Sequence, residues 1–207
     1  MPVTRILHQA DRSPMPETGQ LIVISGPSGV GKGKLCDFLQ RAFPALNISV
    51  SATSRPRRPG EVDGESYFFK TREQFEAMIE DHALLEWAEY NSAYYGTPRA
   101  VVDEALKRGE HVLLEIDVQG AMKVKMQFPE AMLVFIAPPT LDDLQARLKA
   151  RGQNSTTDIV NRMTIAREEL TYQDCFDHVL INGDFMVCSQ SLMDLVASRM
   201  DGVTGTV

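Results

Sequence analysis

The sequence predicts an α/β protein built on a doubly wound parallel sheet. Three observations carry that expectation. Short apolar runs recur along the chain with helical patterns between them: "LIVI" (21–24), "HVLLEID" (111–117), "MLVFIA" (132–137) and "HVLI" (178–181). The first run leads directly into a glycine-rich loop and an amphipathic helix, and a polar link, "RGQNSTTD" (151–158), breaks the later helical stretch as a lid would. Runs that are apolar without alternation suit strands covered on both faces, because a half-exposed strand gives every second position to water.

Taken in order, "LIVISGPSGVGKGK" (21–34) supplies strand, loop and helix. Gly26, Gly29 and Gly31 let the chain turn tightly around Pro27, Ser28 and Val30 with its amides inward, a concavity that binds anions. Lys32 then reaches outer phosphates, and Leu35, Phe38, Leu39, Ala42 and Phe43 recur at helical spacing. Gly33 and Lys34 stand where such loops usually place serine or threonine. Gly33 has no hydroxyl for magnesium, and Lys34, a long flexible cation near a helix start, is expected to turn toward water.

Further along, "ALNISVSATS" (45–54) reads as a strand leading into Arg55, and "ESYFF" (65–69) as another after a turn. Thr71, three residues before Gln74, opens a helix with a capping box, with Phe75, Met78, Ile79 and His82 on one face. Pro98 starts the next helix, with Val101, Val102, Ala105 and Leu106 inward and Gly109 closing it. Thr140 caps a helix that buries Leu141, Leu144 and Leu148; Ile159, Met163, Ala166 and Leu170 make the one after it.

Composition narrows the function classes. A net charge of −7 argues against binding to a nucleic-acid backbone, which needs a positive face. The longest strongly apolar run is six residues (132–137), far below the roughly 20 of a membrane span. Residues 1–19 read as a loose leader without the apolar stretch of a secretion signal, so a cytoplasmic location is the default expectation. Cys36, Cys175 and Cys188 are far apart and include no CxxC pair, and the four histidines show no ligand spacing; reduced thiols and no zinc site are expected.

Together "GPSGVGK", "SVSATSRPRRPGEVDGESYFF", "LLEWAEYNSAYYGTP", "LLEIDVQGA" and "FIAPP" resemble the guanylate kinase family, in the right order and over about residues 21–184. The resemblance implies a P-loop nucleoside monophosphate kinase that moves the γ-phosphoryl group of ATP to GMP in direct in-line transfer with lid closure, with Mg2+ accompanying ATP. It divides the chain into a leader (1–19), a core (20–48, 99–140 and 171–207), an inserted small α+β GMP-binding subdomain (49–98) and a helical lid (about 141–170). It implies ATP and GMP as partners and neither nucleic acid nor membrane.

By the same resemblance, residues 26–34 from Gly26 to Lys34 hold ATP, with Asn182 near the adenine, although "INGDF" places Gly183 where an acidic residue is common. Arg55 and Arg58 grip the GMP phosphate with help from Tyr67 and Tyr95, since an arginine fork matches phosphate oxygens in pairs. Glu86 and Asp117 take the donor edge of guanine; Ser51 and Thr97 take its carbonyl. Adenine would meet those carboxylates acceptor to acceptor, a mismatch that can discriminate by roughly 10⁴-fold or more. Arg147, Arg151 and Arg162 match lid positions and join Lys32 and Arg58 as the catalytic cations. Phosphoryl transfer needs positioning and charge neutralisation, not a nucleophilic side chain. Read alone, Glu86 could be a helix-surface acid, and Glu115 stays open between guanine and a magnesium-bound water. The rivals are a guanylate-kinase-like protein-interaction module and a kinase for another small acceptor.

Overall fold

Every side chain of Leu21–Ser25 is buried, and parity splits them: Ile22 and Ile24 enter one apolar layer, Leu21 and Val23 the other. The computed structural model describes residues 19–90, 92–150 and 156–201. Its elements run β1 (Leu21–Ser25), α1 (Lys32–Ala42), β2 (Asn47–Ile48), β3 (Ala52–Thr53), β4 (Phe68–Phe69), α2 (Arg72–Glu80), β5 (Leu84–Tyr90), β6 (Ala93–Pro98), α3 (Arg99–Lys107), β7 (Val112–Glu115), α4 (Val118–Gln127), β8 (Met132–Ala137), α5 (Leu141–Ala150), α6 (Thr156–Leu170), β9 (His178–Ile181) and α7 (Phe185–Asp201).

Among the described residues five parallel strands form one sheet in the order β2-β7-β1-β8-β9. The chain leaves β1 toward one edge and later crosses back to β8 on the other side, so the strand order reverses beside β1. Ligands of open α/β sheets bind in the crevice at such a switch point, beyond the carboxyl ends of the strands. One face of the sheet is covered by Leu35 and Leu39 of α1, Leu144 and Leu148 of α5, Ile159 and Met163 of α6, and Leu192 and Val196 of α7. The other face packs on Val102 of α3 and Val118, Ala121 and Val124 of α4.

Between β2 and α3 the chain builds a second sheet, β4-β3-β6-β5, with its own small core of Ala52, Phe75 and Leu84. Thr71 caps α2 with the full capping box to Gln74. β5 and β6 form an antiparallel hairpin whose register shifts between Leu84 and Trp87. Leu84 pairs with Pro98 and Trp87 with Gly96, so Leu85 and Glu86 together oppose Thr97: a β-bulge, which re-aims a side chain.

Several local expectations change. "ALNISVSATS" is not one strand; β2 and β3 belong to different sheets, because the chain crosses from core to insert there. Of "ESYFF" only Phe68–Phe69 forms a strand, and Tyr67 makes an isolated bridge to Asp63. His82 lies past the end of α2 with φ 52°, and Ala42 and Val101 face water although their spacing suggested burial. Val179 and Ile181 are exposed because β9 is a sheet edge, where helices cover one face only in part.

Candidate functional site

The crevice above β1 is a cleft of about 600 Å3 that extends from the glycine loop to the second sheet. The loop's geometry rests on Gly26 (φ 138°), Gly29 (φ 92°) and Gly31 (φ 108°), all in the region where a side chain is strained. Space is equally tight: a Cβ on Gly26 would lie 2.2 Å from the Ile136 carbonyl oxygen, and one on Gly31 2.8 Å from Asn182 Nδ2. Lys32 opens α1 and folds back over the loop, donating from Nζ to the Gly26 carbonyl (2.5 Å) and the Pro27 carbonyl (3.3 Å). Burial lowers its pKa, an effect opposed by the nearby carboxylates of Glu115 and Glu169.

Around the loop the structure gathers Ser28, Gly33, Ser51, Tyr67, Glu86, Tyr95, Asp117 and Arg162 on one cleft wall or another. Val30 is fully buried, and its carbonyl oxygen accepts from Asn182 Nδ2 (2.8 Å) and Arg147 Nη1 (3.2 Å), while Arg147 Nη2 donates to the Asn182 carbonyl (2.7 Å). Arg147 and Asn182 therefore brace the back of the loop and do not border the cleft. Lys34 is exposed and outside the cleft lining. Arg162 Nη1 donates to Ser28 Oγ (3.0 Å), and its guanidinium lies 5.8 Å from the centre of the Tyr90 ring. Arg151 lies outside the described residues.

On the second sheet Glu86 belongs to strand β5 and is 5% exposed, which rules out the helix-surface reading. The bulge sets it opposite Thr97, whose Oγ1 donates to Glu86 Oε1 (2.7 Å). Desolvation raises the Glu86 carboxyl to about 7 against the pull of that hydrogen bond, and the charge of Asp117 adds to the rise. Asp117 caps α4, accepting from the Gly120 amide (2.8 Å). Gly120 also makes room for Glu86: a Cβ there would lie 2.8 Å from Glu86 Oε2.

Arg55 is engaged by Glu61 through two hydrogen bonds (2.7 and 3.0 Å) and lies 5.4 Å from the centre of the Tyr67 ring. That bond from Arg55, helped by the Arg58 amide, pulls the Glu61 carboxyl down to about 2. The Arg58 side chain is exposed, and neither it nor Arg55 borders the cleft; burial beside Tyr95 raises the Tyr67 phenol.

Sequence reasoning missed Glu169, Tyr90, Gln119 and Tyr172, all of which border the cleft. Glu169 had one available signal: it follows Arg162 by two helical turns and so shares its face. The Glu169 carboxyl is raised to about 7 by burial, opposed by Lys32.

A family model described as guanylate kinase matches residues 18–199. The chain belongs to the guanylate kinase family. It is 53% identical over 167 residues to a guanylate kinase of Shouchella clausii, covering 80% of this chain and 81% of that one. Against a guanylate kinase of Desulfitobacterium hafniense it is 46% identical over 181 residues, covering 87% and 90%. The crystal structure of the guanylate kinase from Anaplasma phagocytophilum superposes with a TM-score of 0.71 at 28% identity, covering 89% and 87%. The doubly wound sheet with its inserted second sheet is thus that of a guanylate kinase. No helix among the described residues is long and apolar enough to cross a membrane.

Proposed function

We propose that the cleft transfers the γ-phosphoryl group of ATP to GMP, giving ADP and GDP, with the phosphate loop holding ATP and the second sheet holding GMP. The chain is a guanylate kinase by family. One observation carries the residue-level reading: a buried carboxylate, Glu86, is held by Thr97 on the same cleft that the phosphate loop borders. A carboxylate buried without a cation on it is costly, and guanine's ring N–H and amine offer the two donors that would compensate it.

In this reading Glu86 and Asp117 take the donor edge of guanine, and Ser51 and Thr97 the carbonyl. Arg55, Arg58, Tyr67 and Tyr95 hold the GMP phosphate; the Arg55–Glu61 pair keeps the guanidinium extended over Tyr67 before the anion arrives. Gly26 to Lys32 cradle the ATP phosphates through backbone amides, and Lys32 exchanges its loop carbonyls for phosphate oxygens. Arg162, with Arg151, brings positive charge to the transferring group as the lid, about residues 141–170, closes and expels water, while Arg147 acts from behind by holding the loop's shape. Residues 49–98 form the acceptor-holding insert. The GMP oxygen that attacks is already anionic near neutral pH, so no side chain has to remove a proton from it.

Kinases of this kind take ATP with magnesium. Gly33 brings no hydroxyl to such an ion, but the Glu115 carboxylate faces that position, 3.6 Å from where a Cβ would stand. The residues fit an ion held mainly by ATP oxygens and water, with Glu115 accepting from a bound water. There the ion would neutralise charge on the β- and γ-phosphates. The intact loop argues against an interaction module without kinase activity. ADP formation measured with GMP, AMP, UMP and no acceptor tests the proposal; turnover restricted to GMP is expected, and equal turnover with AMP overturns it.

A further inference from the structure

Helix α4 grips strand β5 on both sides of Glu86. Gln127 Nε2 donates to the Leu85 carbonyl (2.8 Å) and Lys123 Nζ to the Trp87 carbonyl (2.9 Å), which are the residues before and after it. β5 is the edge strand of its sheet, and the bulge at Leu85 and Glu86 interrupts its ladder with β6, so its backbone groups need partners from elsewhere. Side chains of α4 supply them.

The Gln127 amide is engaged at every end. One hydrogen goes to Leu85, the other to the Lys123 carbonyl one turn earlier in α4 (3.1 Å), and the oxygen accepts from Arg99 Nη2 at the start of α3. An amide bonded in three directions cannot turn without breaking one of them. Lys123 holds Trp87 a second time, with its ammonium 5.6 Å from the centre of the indole ring. Burial raises the Glu86 carboxyl, and the Lys123 charge is among the influences that oppose the rise.

The same helix begins at the other carboxylate, since Asp117 is its N-cap. Asp117 follows β7 of the parallel sheet, whereas Glu86 belongs to the second sheet, so neither sheet fixes the distance between them. Two groups that read one edge of one base need that distance fixed. We propose that Gln127 is a positioning residue of the guanine site: with Lys123 it ties the strand on either side of Glu86 to α4, so that one helix sets both Asp117 and Glu86. The inference rests on the assignment of Glu86 to guanine. Gly120, on the same helix, leaves the space that the Glu86 carboxylate occupies.

The test is steady-state KM for GMP and ATP on the full chain for Gln127→Leu and Gln127→Glu, with Gln127→Leu also combined with Glu86→Gln, beside amide hydrogen exchange of residues 84–90 in the empty protein. Gln127→Leu removes donors and acceptor together; Gln127→Glu keeps the acceptor for Arg99 and loses only the donors. Both are expected to raise the KM for GMP about three- to tenfold, to leave the KM for ATP within about twofold, and to speed exchange in 84–90. On the Glu86→Gln background, Gln127→Leu should add less than about twofold, because a contact that acts through the Glu86 carboxylate has nothing left to place. The proposal is overturned if Gln127→Leu uses GMP normally, if Gln127→Glu behaves as wild type, if the GMP and ATP constants rise together, or if the two losses multiply. Normal GMP use by Glu86→Gln defeats the guanine assignment and the positioning role with it. Unchanged exchange in Gln127→Leu defeats the hold on the bulge alone, so the two failures are told apart.

Discussion

Glu86→Gln should make the empty protein more stable while disabling its use of GMP. Glu86 titrates near 4.5 when unfolded and at about 7 in the fold. The fold therefore prefers its neutral form: the favourable contribution is fully present below pH 4.5 and is lost as pH rises through 7. That interval corresponds to about 3 kcal/mol at pH 8. The residue is 5% exposed, so little of this is screened by solvent. Glutamine stays neutral, keeps an oxygen for the Thr97 hydroxyl, and can turn its amine toward Asp117, whose charge opposes the glutamate. For a domain of this size each kcal/mol moves Tm by about 2–4 °C, so a rise of about 6 °C or more is expected at pH 8, falling to less than about a third of that at pH 5. The Glu61–Arg55 pair acts in the opposite sense only as pH falls from about 4.5 toward 2, and Glu169, which titrates in the same window as Glu86, is common to both proteins and drops out of their difference. Scanning calorimetry at both pH values gives the stability arm. Coupled measurement of ADP formation gives the other: kcat/KM for GMP should drop by about 10²-fold, because an amine now meets guanine's donors. A variant that melts lower than wild type at pH 8, or one that phosphorylates GMP normally, refutes the reasoning.

Other outcomes follow from the same geometry. Because the proposed contact with GMP requires the charged form of Glu86, wild-type affinity for GMP should weaken from pH 8 to pH 6 more steeply than that of Glu86→Gln, which retains only the titration of the nucleotide phosphate; parallel profiles would remove Glu86 from the site. Gly120→Ala should raise the KM for GMP about tenfold with little effect on ATP, since its methyl would displace Glu86 Oε2; unchanged GMP kinetics would mean the carboxylate is not held against α4. Arg58→Lys should raise the GMP requirement, because a lysine cannot reproduce a two-pronged contact with phosphate. Lys34→Thr should lower the magnesium concentration for half-maximal activity, a shift readable in a magnesium titration; weaker ATP binding at saturating magnesium would instead identify Lys34 as a phosphate ligand.

By itself the sequence determined the parallel sheet, the phosphate loop and, apart from Ala42, His82 and Val101, the helix faces, because each is written in neighbouring residues. The run 21–24 is apolar at every position since both faces of β1 are covered, and the glycines of 26–31 occupy the angles the loop requires. Thr71 and Gln74 likewise carry their capping box within one helical turn. The sequence motifs also named Glu86, Thr97 and Asp117 as a group, although nothing local joins them. Only the tertiary structure decided how they meet. The extra residue in β5 that turns Glu86 toward Thr97 is visible only against its partner strand, and the space that admits its carboxylate is the missing side chain of Gly120 on α4. The same holds for Arg147, which spacing sets on a helix and packing turns to the back of the loop, and for Arg162, whose partner Ser28 is 134 residues away in the chain. Periodicity records which face of an element is buried; it carries no record of which distant backbone amide that face will meet.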